Sequence, residues 1–324
     1  MMYQSICSQA EAAAMIEKGI PLFIAGSYEI LAGLPKGNWI AGTAQNAILP
    51  GQKITLDRQL FIQPLPDFVT KTTIQEYDVN SFKEIFADAP ENGFTFVIIP
   101  FDSEPHFEFS ASVMSYNHFG RQPLCGWISW DVRNTGRTFS GRQVQAYSDK
   151  AVAMHVEFPP DKYAEIQIFN PYTQGTGDDI TFESSGLVVK EACINGVKQN
   201  FAEYLRKINF NHRRFPLVGD YAGAMINVSC RSIEEDTVFL YAAVFPTIKY
   251  RTGVIDPAVV APSLLSKKIL LSLTCIVNYK QNDFCENYLQ NINGLVTYGE
   301  IVYQLLNQTT VYLTVDDAVV SKPS

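Results

Sequence analysis

The chain has 324 residues, of which 47% are hydrophobic and 18% charged, and its net charge is −8 at neutral pH. That balance excludes a disordered chain, which lacks apolar area to bury, and a negative surface opposes nonspecific binding to phosphate backbones, so no nucleic-acid partner is expected. The longest apolar stretch, 257–277, is broken by Lys267 and Lys268, and no basic patch precedes an apolar run at the start, so neither a membrane span nor a signal peptide is expected and the cytoplasm is the expected compartment.

Length alone suggests about two domains. Ser8 and Glu11 form a capping box ahead of the apolar stripe Ala12, Met15 and Ile16, which predicts a first helix stopped by Gly19 and Pro21. A short buried strand over 21–25 ends at Gly26-Ser27; a short helix to Gly33 and a strand over 38–43 then suggest a βαβ-like start. The proline-spotted stretch 48–68 reads as extended or loop, and 81–87 as a helix. Strands are expected over 94–101, 106–113, 125–132, 151–158 and 165–169; the first of these is nearly all apolar and so buried on both faces.

The turn-rich segment 170–179 is the expected boundary between a domain at 1–175 and one at 180–324. Beyond it come a strand at 186–194, an Asn195-Gly196 turn, and a helix with Phe201, Tyr204, Leu205 and Ile208 on one face. Strands at 225–230 and 238–245, a short helix near 262–268, a strand at 270–277 and a polar helix at 282–291 follow. A short strand into Tyr298, a helix from Gly299 and a last strand at 310–315 complete the order. The whole reads as a mixed α/β (α+β) fold of two sheet-containing halves with helices packed outside, a layered sandwich being one such arrangement.

Cys7, Cys125, Cys193, Cys230, Cys275 and Cys285 form no CxxC pair and read as reduced core thiols rather than zinc ligands. His106-x-Glu108 and His155-x-Glu157 have the spacing of a metal or acid–base pair on a strand face, and equally of plain polar alternation. No Gly-x-Ser-x-Gly elbow, P-loop or dinucleotide fingerprint occurs, so no catalytic residue, metal or cofactor is assigned. Two basic islands, Arg121/Arg133/Arg137/Arg142 and Arg206/Lys207/Arg213/Arg214, read either as solvated charge or as capture sites for a small anion. Gly26-Ser27 and the run from Thr297 to Glu300 each end a strand where a helix is expected, so each offers backbone donors or a first-turn acid to a ligand.

The second half resembles the C-terminal domain of FIST sensory modules. The likeness is carried by Ile-Asn-Gly-Val-Lys at 194–198 with Phe-Ala-Glu-Tyr-Leu at 201–205, by 215–217 and 238–243, and by Cys275 followed by Gly-Leu-Val-Thr-Tyr-Gly-Glu-Ile at 294–301. The first half is similar to the N-terminal domain of those modules through 37–43, Pro-Leu-Cys-Gly at 123–126 and 147–156. The resemblance implies a small metabolite or amino-acid-like ligand, bound without chemistry in a cleft between the halves, and a separate signalling partner. It places the ligand on the loops at Gly26, Ser27, Gly42, Thr43, Gly126, Trp127, Tyr298 and Glu300; Trp127 would narrow the pocket or offer a stacking face, and Glu300 would meet a ligand ammonium. Two other readings stay open: a cysteine- or serine-dependent hydrolase, with Cys125 or Cys275 beside a histidine, and a protein-interaction or effector protein.

Overall fold

The computed structural model describes residues 4–49, 52–131, 136–256, 268–280 and 294–318. Strand far outweighs helix in this mixed α/β protein, and three of its sheets have six strands each on one shared plan. In each, the two central strands run parallel: Leu22–Gly26 beside Trp39–Thr43, Gly93–Pro100 beside Leu124–Ser129, and Ile269–Cys275 beside Gly294–Thr297. Parallel neighbours need a crossover. The first two crossovers contain the helices Tyr28–Leu31 and Glu104–Ser112. Each first strand has an antiparallel neighbour on its other side: Leu60–Pro64, Ala151–Glu157 and Thr310–Asp317. An outer strand completes that edge, Ser5–Cys7, Lys71–Tyr77 and Lys162–Phe169 respectively.

The opposite edge is exchanged between sheets. After Trp39–Thr43 the chain enters the third sheet as Asn46–Leu49, antiparallel to Gly294–Thr297. After Gly294–Thr297 it enters the second sheet as Glu300–Val302, against Leu124–Ser129. After Leu124–Ser129 it enters the first sheet as Thr138–Ser140, against Trp39–Thr43. Each exchanged strand turns back in a hairpin, with Gln52–Thr55, Gln304–Leu306 or Gln145–Tyr147. The exchange is cyclic, so the three sheets close around a pseudo-three-fold axis. Every second strand delivers its C-terminal end to that axis.

Strand alternation explains how the sheets pack. Phe23 and Ala25, Phe96 and Ile98, and Leu271 and Leu273 turn into one core shared by all three sheets. Phe23 stacks on Phe96 at 4.1 Å across the first two sheets. On the other faces, Leu22 and Ile24 cluster with Ala12 and Ile16 of the helix Gln9–Glu17, and Val97 and Ile99 cluster with Phe109 of Glu104–Ser112. Each large apolar side chain so buried contributes about 1.5–3 kcal/mol. Gly42 and Gly126 make these approaches possible. A Cβ on Gly42 would stand 2.5 Å from Ile98 Cγ2 of the second sheet, and one on Gly126 would run into the carbonyl oxygen of Val97.

Residues 170–256 leave the third sheet after Lys162–Phe169 and build a seven-stranded and a three-stranded sheet around a core of their own. This segment docks on the three-sheet body through Asn227 Nδ2, which donates to the carbonyl of Asn307 at 3.1 Å, and through Ala243 N, which donates to Ser110 Oγ at 2.9 Å. The expected break between 175 and 180 therefore falls near the start of an inserted segment. The sheets themselves take strands from both sides of it, so the arrangement is a three-sheet body with an insert rather than two halves.

Several expectations hold. The capping box at Ser8 is present, with Glu11 N donating to Ser8 Oγ and Ser8 N to Glu11 Oε2 at 2.8 Å. Strand Gly93–Pro100 is buried along its whole length. Others need correcting. The strand expected over 106–113 is the helix Glu104–Ser112, because Ser103 Oγ caps His106 N at 3.2 Å and Pro105 sits in the first turn. The stretch 48–68, expected as extended or loop, is largely extended: it holds two complete strands and the end of a third, with Pro64 closing Leu60–Pro64 rather than interrupting it. Asn195-Gly196, at φ 50° and 83°, turns a hairpin between Glu191–Ile194 and Val197–Asn200 before the helix Phe201–Lys207 begins. The helix expected from Gly299 is the exchanged strand Glu300–Val302. The helix expected at 282–291, and nearly all of that at 262–268, lie outside the described residues.

Candidate functional site

The three second strands end on hydroxyl residues. Thr43 lies opposite Gly26, Ser129 opposite Pro100 and Thr297 opposite Cys275, in matching register. All three side chains are buried and bonded locally: Arg137 N donates to Thr43 Oγ1 at 3.0 Å, Ser129 Oγ donates to the carbonyl of Ile99 at 3.3 Å, and Thr297 Oγ1 lies 3.4 Å from the carbonyl of Thr274. The next residue in each repeat is Ala44, Trp130 or Tyr298. Trp130 and Tyr298 stack at 5.1 Å, and Tyr298 meets Phe101 edge-on at 4.5 Å and Tyr241 at 5.4 Å. Ala44, in the first repeat, carries only a methyl group. On its side a cleft of about 310 Å³ opens, walled by Ser27, Tyr28, Glu29, Ala44, Gln45, Asn46, Thr55, Leu56, Asp57 and Asp131.

This cleft lies beyond the carboxyl ends of a parallel strand pair, where open α/β sheets hold ligands, and its volume is in the range of small-molecule sites. It shares Ala44, Gln45 and Asn46 with a much smaller space on the axis, about 10 Å³, which Thr43, Trp127, Ile276, Thr297 and Tyr298 also line.

The structure places the expected site residues in two groups. Ser27 lines the open cleft, while Thr43, Trp127 and Tyr298 line the axial space beside it. Ser27 occupies the N-cap position of Tyr28–Leu31, yet its hydroxyl makes no cap bond; it donates instead to the carbonyl of Asp57 at 3.4 Å. Gly26 and Gly42 are buried within their strands. Gly126 serves close strand packing against Val97 and does not face the cleft.

Glu300 is the main correction. It is fully buried on the exchanged strand, opposite Trp127, at the position that Ala47 and Phe139 hold in the other two exchanges. Thr297 Oγ1 donates to Glu300 Oε1 at 2.6 Å and Thr309 Oγ1 to Oε2 at 2.9 Å. Burial pushes its pKa up to about 8, against the opposing pull of the two threonine hydroxyls. With both oxygens occupied inside the protein, this carboxyl is not placed to meet a ligand ammonium.

The histidines flagged in the sequence are interior groups. Burial lowers both His106 and His155 to about 4, with Arg231 adding to the shift at His106 and Asp88 opposing it at His155. His155 bridges Thr95 Oγ1 and Tyr77 Oη, each at 2.8 Å, and the Tyr77 hydroxyl donates to Asp88 Oδ2 at 2.8 Å. With Tyr77 donating to Asp88, His155 carries its proton on Nε2 and accepts at Nδ1 from Thr95. Burial raises the thiol pKa of Cys125 and of Cys275. Cys7, Cys125, Cys193, Cys230 and Cys275 are free thiols. Among the described residues no three His, Cys, Asp or Glu side chains gather to hold a metal ion, and no helix is long and apolar enough to cross a membrane.

Sequence reasoning missed Tyr28, Glu29, Gln45, Asn46, Thr55, Leu56, Asp57 and Asp131. Four of these follow directly on residues already singled out: Tyr28 and Glu29 after Gly26-Ser27, and Gln45 and Asn46 two and three positions after Thr43. The strand-end rule that marked Gly26 and Thr43 reaches them once extended by one turn. Thr55 to Asp57 lay in the stretch read as extended or loop, where no strand end was marked.

Fold and site together define a class: an α/β protein of three edge-exchanged sheets with a ligand-sized cleft at the end of the first parallel pair. The chain belongs to DUF6976, a family of unknown function whose model matches residues 7–316. No curated protein and no solved structure matches it.

Proposed function

We propose that this chain is a reversible binder of a small molecule, held in the cleft between residues 27–29, 44–46 and 55–57, with no chemistry done on it. The observation that carries this reading is the asymmetry at the axis: the second and third repeats close their strand ends with stacked Trp130 and Tyr298, and the first leaves about 310 Å³ open beside Ala44. Burial keeps the Cys125 and Cys275 thiols protonated, which weighs against the cysteine-hydrolase reading, because the thiolate is the nucleophile. A sensory role, read out by a separate partner in the cytoplasm, rests on the resemblance of residues 294–301 to FIST modules. The test is a thermal-shift screen of organic acids, amines, amides and nucleosides. A true ligand at about 100 times its Kd stabilises the fold by roughly 2.7 kcal/mol. A broad panel in which no compound moves the melting point sinks the reading.

A further inference from the structure

The axial space beside the cleft is bounded by two buried hydrogen-bond donors that have no partner among the described residues, Gln45 Nε2 and Trp127 Nε1. Trp127 is 2% exposed, so solvent does not satisfy its N–H. A buried donor left unmade is disfavoured, and a group that can only donate is satisfied only by an acceptor. The space, about 10 Å³, is the size of a single oxygen-centred group. Gln45 also walls the open cleft, as do Ala44 and Asn46, so the cleft and this space adjoin along these three residues. Thr297 lines the same space, and its hydroxyl is bonded within the protein, 2.6 Å from Glu300 Oε1.

Resting on the cleft reading above, we infer that this space is an acceptor-oxygen subsite: the bound small molecule inserts a carbonyl or carboxylate oxygen between Gln45 Nε2 and Trp127 Nε1. Water takes the same place when no ligand is bound, accepting from both nitrogens. The subsite thereby selects ligands with a terminal acceptor oxygen over equally shaped ligands without one.

The test uses the full chain and two probes of similar shape, benzamide and benzylamine, with calorimetric titration and crystals soaked in benzamide. The expected result is a benzamide oxygen within about 3.2 Å of both nitrogens, a benzamide affinity about tenfold lower in Trp127→Phe, and a benzylamine affinity unchanged by that substitution. Gln45→Leu, in the loop after Thr43, repeats the comparison should Trp127→Phe fail to fold. Binding of both probes in the cleft with benzamide affinity unmoved by either substitution overturns the subsite and leaves the cleft reading standing. Should neither probe bind at millimolar concentration, the cleft reading loses its support, and the unsoaked crystal decides the subsite separately. An oxygen held by both nitrogens there supports it. Gln45 turned away to solvent, or Trp127 Nε1 facing no oxygen, overturns it.

Discussion

The first and third repeats bring the same backbone to the axis and do opposite things with it. In the first, Thr43 is followed by Ala44, and the space beyond it stays open as the cleft. In the third, Thr297 is followed by Tyr298, which stacks on Trp130 and packs edge-on against Phe101, and the exchanged strand behind it buries Glu300. Topology therefore supplies three equivalent strand ends, and side-chain size selects which becomes a site. A carboxyl buried at the third repeat is the electrostatic counterpart of that choice, because a filled junction removes the water that would have kept it ionised.

The largest expected effect tests the closed repeat. Folded Glu300 titrates near 8, against about 4.5 unfolded, so between these values the native state binds the extra proton and stability falls as pH rises. The total loss is on the order of 5 kcal/mol, complete above pH 8. Glu300→Gln cannot ionise. Its stability relative to the parent protein should match at pH 4.5, grow through pH 8 and then level off, as followed by urea unfolding at each pH. A difference independent of pH would mean that Glu300 is already ionised and solvated in the native state.

The next effect runs the other way. His106 and His155 are depressed to about 4, so from pH 6.5 down to 4 the unfolded chain takes up protons that the native state refuses. Their stabilisation is full above pH 6.5 and lost as pH falls through this window, on the order of 3 kcal/mol for each. Acid unfolding of His155→Gln should show a shallower slope than the parent between pH 6.5 and 4. An identical slope would remove His155 from the account.

A smaller effect concerns the helix that carries the second crossover. Ser103 Oγ accepts from His106 N at 3.2 Å and donates to the carbonyl of Pro100 at 2.6 Å. Ser103→Ala should cost about 1 kcal/mol of unfolding free energy, the usual worth of an N-cap. Since helix Glu104–Ser112 packs on the second sheet away from the cleft, ligand affinity should stay within twofold.

What the sequence allowed to be read follows from how local each signal is. The capping box at Ser8, the continuous apolar run of Gly93–Pro100 and the strand-end residues Gly26 and Thr43 are set by neighbours in the chain, and they were legible. The helix start at Ser103 and Pro105 is equally local, but it went unused, and the imperfect alternation over 106–113 was taken for a strand. The three-fold exchange was not legible. Its repeats share little beyond a hydroxyl residue at the end of each second strand, their turns into the exchanged strands differ in length, and an insert from 170 to 256 interrupts the third. Glu300 was misread for a related reason: an acid after Tyr-Gly looks like a helix first turn, and only the pairing with Leu124–Ser129 makes it an interior strand residue.

The central claim is that the opening beside Ala44 is the binding site. Ala44→Trp would give the first repeat the aromatic that the second carries, filling the cleft with a side chain while leaving the strands and their exchange intact. Calorimetric titration of the parent and of Ala44→Trp, with one compound that raises the parent's melting point, tests this most directly. The account expects an affinity loss of at least about 100-fold, equivalent to roughly 2.7 kcal/mol, in a variant whose far-UV circular dichroism is unchanged. Undiminished affinity in the folded variant would contradict it and place the ligand elsewhere on the molecule.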